Sequence, residues 1–435
     1  MNPSPSPRPD AGAVSANFGW TRHVTRNPTA MAVWCTVSAF GTYACMYGFR
    51  KPFTAGVFVE DPFSPGFKAT LVGAQVLGYT VSKLIGIRVI AEMPPRRRIA
   101  TLFGLIAVAE TAWVLFGGLP PSFAAVCLFL NGLSLGMVFG LVLGFLEGRR
   151  LSEAFITGLC CSFILADGIS KTVGLRMLEA GIPERWMPAA AGAVFALPLW
   201  GFASMLGQIP PPAQTDVIAR TERLPMDRKD RWGFLRRHGG IVLPIIAAYT
   251  LVTLLRSVRA DFSRELWLAL GAPGAASVFT RSEAWVTLAM ILPLGLIVRI
   301  ADHRKAFYGG LGISCLGLAV VVASSLAWKW HRIDAFGFMV AIGIGLYLPY
   351  IAVHATVFER LIALSRERAN LGFLMYLADT AGYVGVCAVM AMKGRNMGTT
   401  DILPLFLNGA ILIAILGIGC LVAAAWALWR SMDAR

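Results

Sequence analysis

Charged residues are scarce in this sequence, and their scarcity excludes a soluble globular protein. Asp, Glu, Lys and Arg make up 14% of the 435 residues, whereas hydrophobic residues make up 56%. Soluble domains carry about 25% charged residues. With a mean hydropathy of +0.65, most of the chain is predicted to lie within a lipid bilayer.

Motifs of enzymes and pumps are also missing. No His-Glu-x-x-His occurs, which argues against a metalloprotease, and no Walker A sequence occurs, which argues against an ATP-driven pump. The eight cysteines all fall in apolar runs without metal-ligand spacing, so we interpret them as small buried residues. We expect a protein that is not an enzyme, with no cofactor and no metal.

Acidic residues are fewer than basic ones, giving a net charge of +15, and we reject a nucleic-acid partner as the reason. Most of the lysines and arginines fall in the tail and in alternate loops, including Arg96–Arg98, Arg149 and Arg150. That asymmetry is the positive-inside rule. It predicts a multi-pass protein of the cytoplasmic (inner) membrane with both termini in the cytoplasm. Residues 1–27 lack the apolar core of a signal peptide and are predicted to form a disordered cytoplasmic tail.

Long apolar runs dominate what remains. A membrane-spanning helix needs about 20 mostly apolar residues. Twelve runs qualify: 29–53, 69–92, 99–118, 122–146, 154–179, 186–208, 240–263, 281–300, 307–328, 335–358, 370–392 and 402–429. They predict an all-α membrane protein of twelve transmembrane helices in two pseudo-symmetric six-helix halves, 28–208 and 239–435, joined by a cytoplasmic loop 209–238.

A polar stripe closes the first run. Tyr43, Tyr47 and Arg50 are spaced to share one helix face. An arginine at membrane depth costs about 2.5–3.5 kcal/mol on insertion scales and is usually kept for a function. Arg50 is therefore a candidate ligand of an anion, or alternatively snorkels to the interface from a helix end.

The stripe recurs in the second half. Tyr249, Thr253 and Arg256 in the seventh run have the same spacing as Tyr43, Tyr47 and Arg50. Leu-Ala-Asp likewise occurs at Asp167 in run five and at Asp379 in run eleven. Matches in equivalent runs indicate an internal six-plus-six repeat.

Four polar residues are candidates for ion coupling. Asp167 and Lys171 are i, i+4 partners, so they either neutralise one another or leave an acid free to carry a proton. Asp379 repeats Asp167, and the two acids are expected to face each other across a cavity. His354 is interpreted either as a packing residue or as a proton carrier.

The sequence resembles the major facilitator superfamily and, within it, the organophosphate:phosphate antiporters. The resemblance rests on Tyr43-x6-Arg50-Lys51-x-Phe53, Gly78-Tyr79-x2-Ser82-Lys83, Leu130-Asn131-Gly132-x3-Gly136-Met137 and Leu255-Arg256-x4-Asp261. It implies a phosphate held by Arg50 and Arg256, with Lys83 as a nearby positive charge. A histidine that takes part in the site in run five of the glycerol-phosphate exchanger is missing here, which leaves the substrate open.

These observations predict a secondary transporter of a small anionic, phosphorylated metabolite that works by alternating access. Its partners would be the anion, the lipid bilayer and a coupled proton or inorganic phosphate. The alternatives are a transporter-like substrate sensor and a proton-coupled symporter of another organic anion. The predicted substrate-binding residues are Arg50, Arg256, Lys83, Tyr43, Tyr47, Tyr79, Tyr249 and Tyr376.

Overall fold

The computed structural model describes residues 27–58, 66–146, 152–210, 228–272, 275–365, 371–396 and 402–433. All regular secondary structure in these ranges is helical. The predicted tail, apart from Asn27, and residues 211–227 of the predicted central loop lie outside them.

Six long helices make up the first half. They are α1 (Pro28–Gly48), α2 (Phe67–Glu92), α3 (Pro95–Gly118), α4 (Ala124–Leu135 and Val138–Leu146), α5 (Ser152–Glu179) and α6 (Met187–Gly207). A 3₁₀ turn, Pro52–Ala55, follows α1.

Six more make up the second half. They are α7 (Arg228–Asp261), α8 (Ser277–Val298), α9 (His303–Lys329), α10 (Ala335–Ala352, a π turn at Val353–Val357, and Phe358–Ser365), α11 (Leu371–Asn396) and α12 (Ile402–Asp433). The prediction of twelve spanning helices in two halves is confirmed. Ten are long and apolar enough to cross a membrane by composition alone. The others, α2 and α8, carry buried charges that lower their hydropathy, among them Lys83 and Glu283.

Helix α7 begins earlier than the hydropathy pattern indicates. It starts at Arg228, inside the predicted loop 209–238, and runs 34 residues to Asp261. Hydropathy marks only the part of a helix that meets hydrocarbon, whereas polar residues continue a helix into water without penalty. The boundary error is therefore confined to the polar end of the helix.

The outer surface of the helices is rich in large apolar side chains, whereas several charged and amide side chains are buried. Leu197 and Leu292 are 76% and 70% exposed, while Asn131, Asp167 and Lys171 are almost completely buried. A soluble protein has the opposite arrangement. Lipid is the environment in which exposed leucines carry no cost.

The two halves meet along two helix pairs, α2 with α11 and α5 with α8. In the second pair, a Cβ on Gly168 would lie 2.6 Å from the carbonyl oxygen of Phe279. The rings of Tyr79 and Tyr383 meet edge to face between α2 and α11, with centroids 5.3 Å apart. These contacts bring the polar faces of both halves together.

Within the first half, α2 and α4 approach closely through glycine. A Cβ on Gly132 would lie 2.0 Å from the carbonyl oxygen of Gln75, and one on Gly78 would lie 2.1 Å from that of Phe129. Beside them, the Gln75 amide donates to Asn131 Oδ1 at 2.8 Å. Small residues permit this backbone approach, and the buried amides then bond across it.

We expect Gly132→Ala to destabilise the folded protein, because its methyl group would collide with backbone that cannot move aside. Overpacking costs about 1–3 kcal/mol even where side chains can adjust. The measurement is the thermal unfolding midpoint in detergent. Gly104→Ala in α3 is the control, since no atom lies within 4 Å of a Cβ there. Equal midpoints for the two variants would contradict the close packing of α2 and α4.

Candidate functional site

Arg50 lies just beyond the end of α1 and points into the protein. It is 6% exposed, and its guanidinium carbon lies 4.0 Å from the Tyr79 ring centroid and 5.8 Å from that of Tyr47. Burial among rings of the interior is not the geometry of a side chain that snorkels to the interface.

The backbone at this helix end is held by side chains of three other helices. The Phe49 carbonyl accepts hydrogen bonds from Trp113 Nε1 at 2.6 Å and Asn131 Nδ2 at 3.0 Å. The Arg50 carbonyl accepts one from Gln75 Nε2 at 3.1 Å. A helix terminus leaves carbonyls unsatisfied, and buried ones need partners of this kind. They fix where Arg50 leaves the helix.

Arg256 occupies the corresponding place in α7. Its guanidinium carbon lies 4.3 Å from the ring centroid of Tyr350 and 5.9 Å from that of Tyr347, both on α10. The same guanidinium carbon lies 6.0 Å from the ring centroid of Phe163, which belongs to the first half. Rings beneath a guanidinium hold its plane in place and partly offset its burial.

Neither arginine has a carboxylate partner among the described residues, and the Nε atom of each is buried without a hydrogen bond. Five other buried cations do have carboxylate partners. The pairs are Lys51–Asp261, Lys68–Glu265, Lys83–Asp379, Lys171–Asp167 and Arg259–Glu283. Since each of these pairs is neutral, the described residues at the two cavities keep an excess of two positive charges, on Arg50 and Arg256.

Two cavities flank these arginines. The first, of about 20 Å³ in this conformation, is lined by Arg50, Lys51, Asp167, Arg256 and Asp261, among others. The second, of about 30 Å³, is lined by Tyr43, Lys83, His354 and Asp379, among others. Tyr47, Phe163, Arg256 and Tyr383 line both. A small ligand between the arginines would therefore also touch the wall that separates the cavities.

Asp379 is the centre of the second cavity's polar cluster. Its Oδ2 pairs with Lys83 of the first half, and its Oδ1 accepts a hydrogen bond from the Tyr249 hydroxyl at 2.6 Å. The Nε2 atom of His354 lies 3.4 Å from the same Oδ1. One carboxylate thus joins α2, α7, α10 and α11.

Other polar contacts join the halves where α1 and α7 end. Lys51 pairs with Asp261, and Lys68 pairs with Glu265 at 2.6 Å. Arg264 donates to the carbonyl oxygen of Ala55. These three contacts hold this end of the bundle together.

Most of the predicted binding residues surround the two cavities. Tyr43, Tyr47, Tyr79 and Lys83 line them together with the two arginines, and Tyr249 bonds to the lining residue Asp379. Tyr376 lines neither cavity. Its place is taken by Tyr383, which lies on the same side of α11, four residues after Asp379. Their roles in binding stay predictions.

The expected facing of Asp167 and Asp379 is wrong. Asp167 lines the first cavity and Asp379 the second. Each also has a basic partner, Lys171 or Lys83. The partners also differ, since Lys171 is a neighbour of Asp167 on the same helix, whereas Lys83 reaches Asp379 from the opposite half.

Sequence reasoning missed Glu283, Phe163 and the Lys68–Glu265 pair. Glu283 of α8 binds Arg259 at 2.8 Å, and both are buried. No local signal identifies this pair, because the residues lie on different helices and α8 has no partner at helical spacing. Glu110 of α3 lies beside Gly192 of α6 and lines neither cavity.

One Gly-x-Ser-x-Gly sequence does occur, Gly132–Gly136. A nucleophile elbow needs a strand followed by a helix, whereas this serine lies inside α4. The Ser134 hydroxyl donates to the carbonyl oxygen of Asn131 at 2.8 Å within the same helix. The glycines serve helix packing, so the match carries no catalytic meaning.

Comparison with known proteins gives a family and a fold. A profile of DUF5690, described as a family of unknown function, matches residues 52–430. The chain belongs to the DUF5690 family. No curated protein matches the sequence of this DUF5690 member.

Solved structures supply the fold. A D-xylose-proton symporter superposes with a TM-score of 0.59 at 13% identity, covering 88% of this chain and 96% of that chain. A mutant of the nucleoside transporter NupG superposes with a TM-score of 0.58 at 12% identity, covering 90% and 99%. The DUF5690 protein therefore has the major facilitator fold. The resemblance to organophosphate antiporters stays a prediction.

We expect Glu283→Gln to destabilise the protein by about 3–5 kcal/mol, because it leaves the buried Arg259 without a counter-charge. Glu110→Gln is the matched control. One Glu110 oxygen is buried without a hydrogen bond, and no described cation pairs with Glu110, so its neutral isostere should cost little. Thermal unfolding in detergent gives both values. A midpoint for Glu110→Gln as low as that for Glu283→Gln would contradict the assigned role of the pair.

Proposed function

We propose that this protein is a secondary transporter that carries a small anionic, phosphorylated metabolite across the membrane by alternating access. The observation that carries the proposal is that Arg50 and Arg256, two buried guanidiniums at one cavity of a major facilitator fold, have no counter-charge among the described residues. An uncompensated buried charge is costly. An anion bound between them would supply the missing charge.

The chemistry of the two arginines favours phosphate. A guanidinium meets a phosphate with two parallel N–H donors and stays charged at any relevant pH. A phosphomonoester carries about two negative charges at neutral pH, which matches the excess of two positive charges. In this conformation each cavity has space for only about one or two water molecules, so an organic phosphate would bind to a conformation in which the halves have moved apart. The two solved relatives are named for D-xylose and nucleoside transport, which supports a carbon skeleton of that size.

Alternating access is supported by how the halves are joined. We place the halves at 28–208 and 239–435, with both termini and the segment 209–238, which includes the first turns of α7, in the cytoplasm. The end where α1 and α7 terminate then faces outward, and the Lys51–Asp261 and Lys68–Glu265 pairs close it. Rocking of one half against the other would break these pairs and expose the arginines to the outside.

Flux through proteoliposomes tests the proposal. Purified protein should take up radiolabelled glycerol 3-phosphate, glucose 6-phosphate or inorganic phosphate, and the preloaded unlabelled anion should accelerate uptake if the protein is an antiporter. Saturable binding of the same anions without any accumulation would overturn the transporter and favour the sensor. Absence of both binding and uptake of all three anions would contradict an organophosphate substrate.

We expect Arg50→Lys and Arg256→Lys each to weaken binding of the transported anion although the charge is kept, because the bidentate fork is lost. The loss of one charge-assisted hydrogen bond, about 1.5–3 kcal/mol, corresponds to roughly a tenfold to hundredfold rise in Kd. Equilibrium binding to purified protein measures the effect.

Arg281→Lys is the control for these variants. Arg281 lies on α8 outside both cavities, near the Phe336 ring. The Kd of Arg281→Lys for the anion should therefore stay at the wild-type value. Wild-type affinity in both cavity variants would refute the role of the arginines as an anion clamp.

The proposed orientation predicts that reporters fused within residues 211–227 and after Arg435 are both cytoplasmic. Paired alkaline phosphatase and fluorescent-protein fusions read the two sides independently. An external signal at either position would overturn the assignment of the closed end as the outer one.

A further inference from the structure

The π turn Val353–Val357 interrupts α10 beside the second cavity. Turns of this type are rare and frequently occur at functional sites. The turn carries His354, which lines the second cavity and is 4% exposed. Its Nδ1 atom is buried without a hydrogen bond partner. A polar ring with an unpartnered nitrogen is thus built into the cavity wall.

His354 is linked to the arginine site by stacked rings. The Arg256 guanidinium lies over Tyr350, 4.3 Å from its centroid. The Tyr350 ring stacks on the His354 ring with their centroids 5.2 Å apart. The centroid of the Tyr249 ring lies 5.0 Å from that of His354. Only the Tyr350 ring therefore separates the Arg256 guanidinium from the imidazole of His354.

His354 also shares a carboxylate with a lysine of the opposite half. Asp379 presents Oδ1 to His354 Nε2 at 3.4 Å and to the Tyr249 hydroxyl, and Oδ2 to Lys83. Lys83 and Asp379 together are neutral. A proton on His354 would place a second cation on the same carboxylate.

The other titratable and charged groups that line this cavity beside Asp379 are tyrosines, a cysteine and two basic side chains. Tyr43, Tyr79, Tyr383 and Cys160 line the same cavity and are neutral in their ordinary forms, while Lys83 and Arg256 are cations. Helix α9 meets the turn through Gly310, opposite Val357. Histidine is the side chain whose charge ordinarily changes between pH 5 and 8.

We propose that His354 binds the coupled proton, with Asp379 as its counter-charge and Lys83 as the cation with which it competes. The inference rests on the proposed function, since it names the coupled ion of the same site. Protonated His354 draws Asp379 away from Lys83 and loosens the contact between α2 and α11. An anion at Arg256 favours this proton, and the proton favours the anion to the same degree.

The first test needs no substrate. Cys160 lines the second cavity on α5 and is 1% exposed, whereas Cys45 lines neither cavity. In full-length protein with Cys161→Ala, N-ethylmaleimide labelling of both thiols is followed by mass spectrometry at pH 6 and pH 8. Division of the Cys160 rate by the Cys45 rate removes the general effect of pH on thiol reactivity.

We expect this ratio to rise several-fold at pH 6 and to stay constant with pH in His354→Gln. Lys83→Gln should give the high ratio at both pH values, because the inter-half pair is gone. A ratio independent of pH in the parent protein, or an equal rise in His354→Gln, overturns the proposal. If His354→Gln does not fold, the pH dependence of the ratio in the parent protein and the ratio in Lys83→Gln still test the proposal.

The second test measures coupling to the anion. Glycerol 3-phosphate titrates near pH 6 itself, so its affinity is compared between wild type and His354→Gln at each pH. The ratio of the wild-type affinity to the His354→Gln affinity should grow at least about fivefold from pH 8 to pH 6. A ratio that does not change with pH refutes the coupling. A labelling change in a protein that binds no anion would refute the proposed function alone, and anion uptake without that change would refute the proton site alone.

Discussion

A charge buried in a membrane protein needs an opposite charge, and this constraint organises the interior of the whole bundle. Removing an ion from water costs several kcal/mol, which only a well-placed partner repays. Lys51, Lys68, Lys83, Lys171 and Arg259 each have such a partner. Arg50 and Arg256 instead lie over tyrosine rings. This exception is the ground on which we propose that a ligand supplies the missing charge.

The same pairing ties conformation to charge. Lys51–Asp261, Lys68–Glu265 and Lys83–Asp379 each join one half of the protein to the other. Separation of the halves at any of these places exposes two charges, and water must then replace the partner. The attraction within such a pair is strong while water is excluded and weak once water enters. Pairs of this kind therefore suit an interface that opens and closes rather than a permanent one.

The fold was largely predictable because hydropathy and helix length are local quantities. Each apolar run of about 20 residues has one way to satisfy its backbone in lipid, which is to become a helix. Local features without a hydropathy signal were not predicted: the break in α4 after Leu135, the π turn at Val353–Val357 and the polar first turns of α7. In each, side-chain packing or water decides the backbone, and neither is visible in a run of apolar residues.

The sequence by itself determined the twelve spans and the helix faces that carry Tyr43, Tyr47, Tyr249 and Arg256, because spacing along a helix fixes which residues share a face. Only the tertiary structure decided the partners. Lys83 and Asp379 are 296 residues apart, and Tyr383 rather than Tyr376 reaches the cavity. Spacing fixes a direction within one helix, but contact between helices depends on how twelve of them pack, which no single segment encodes.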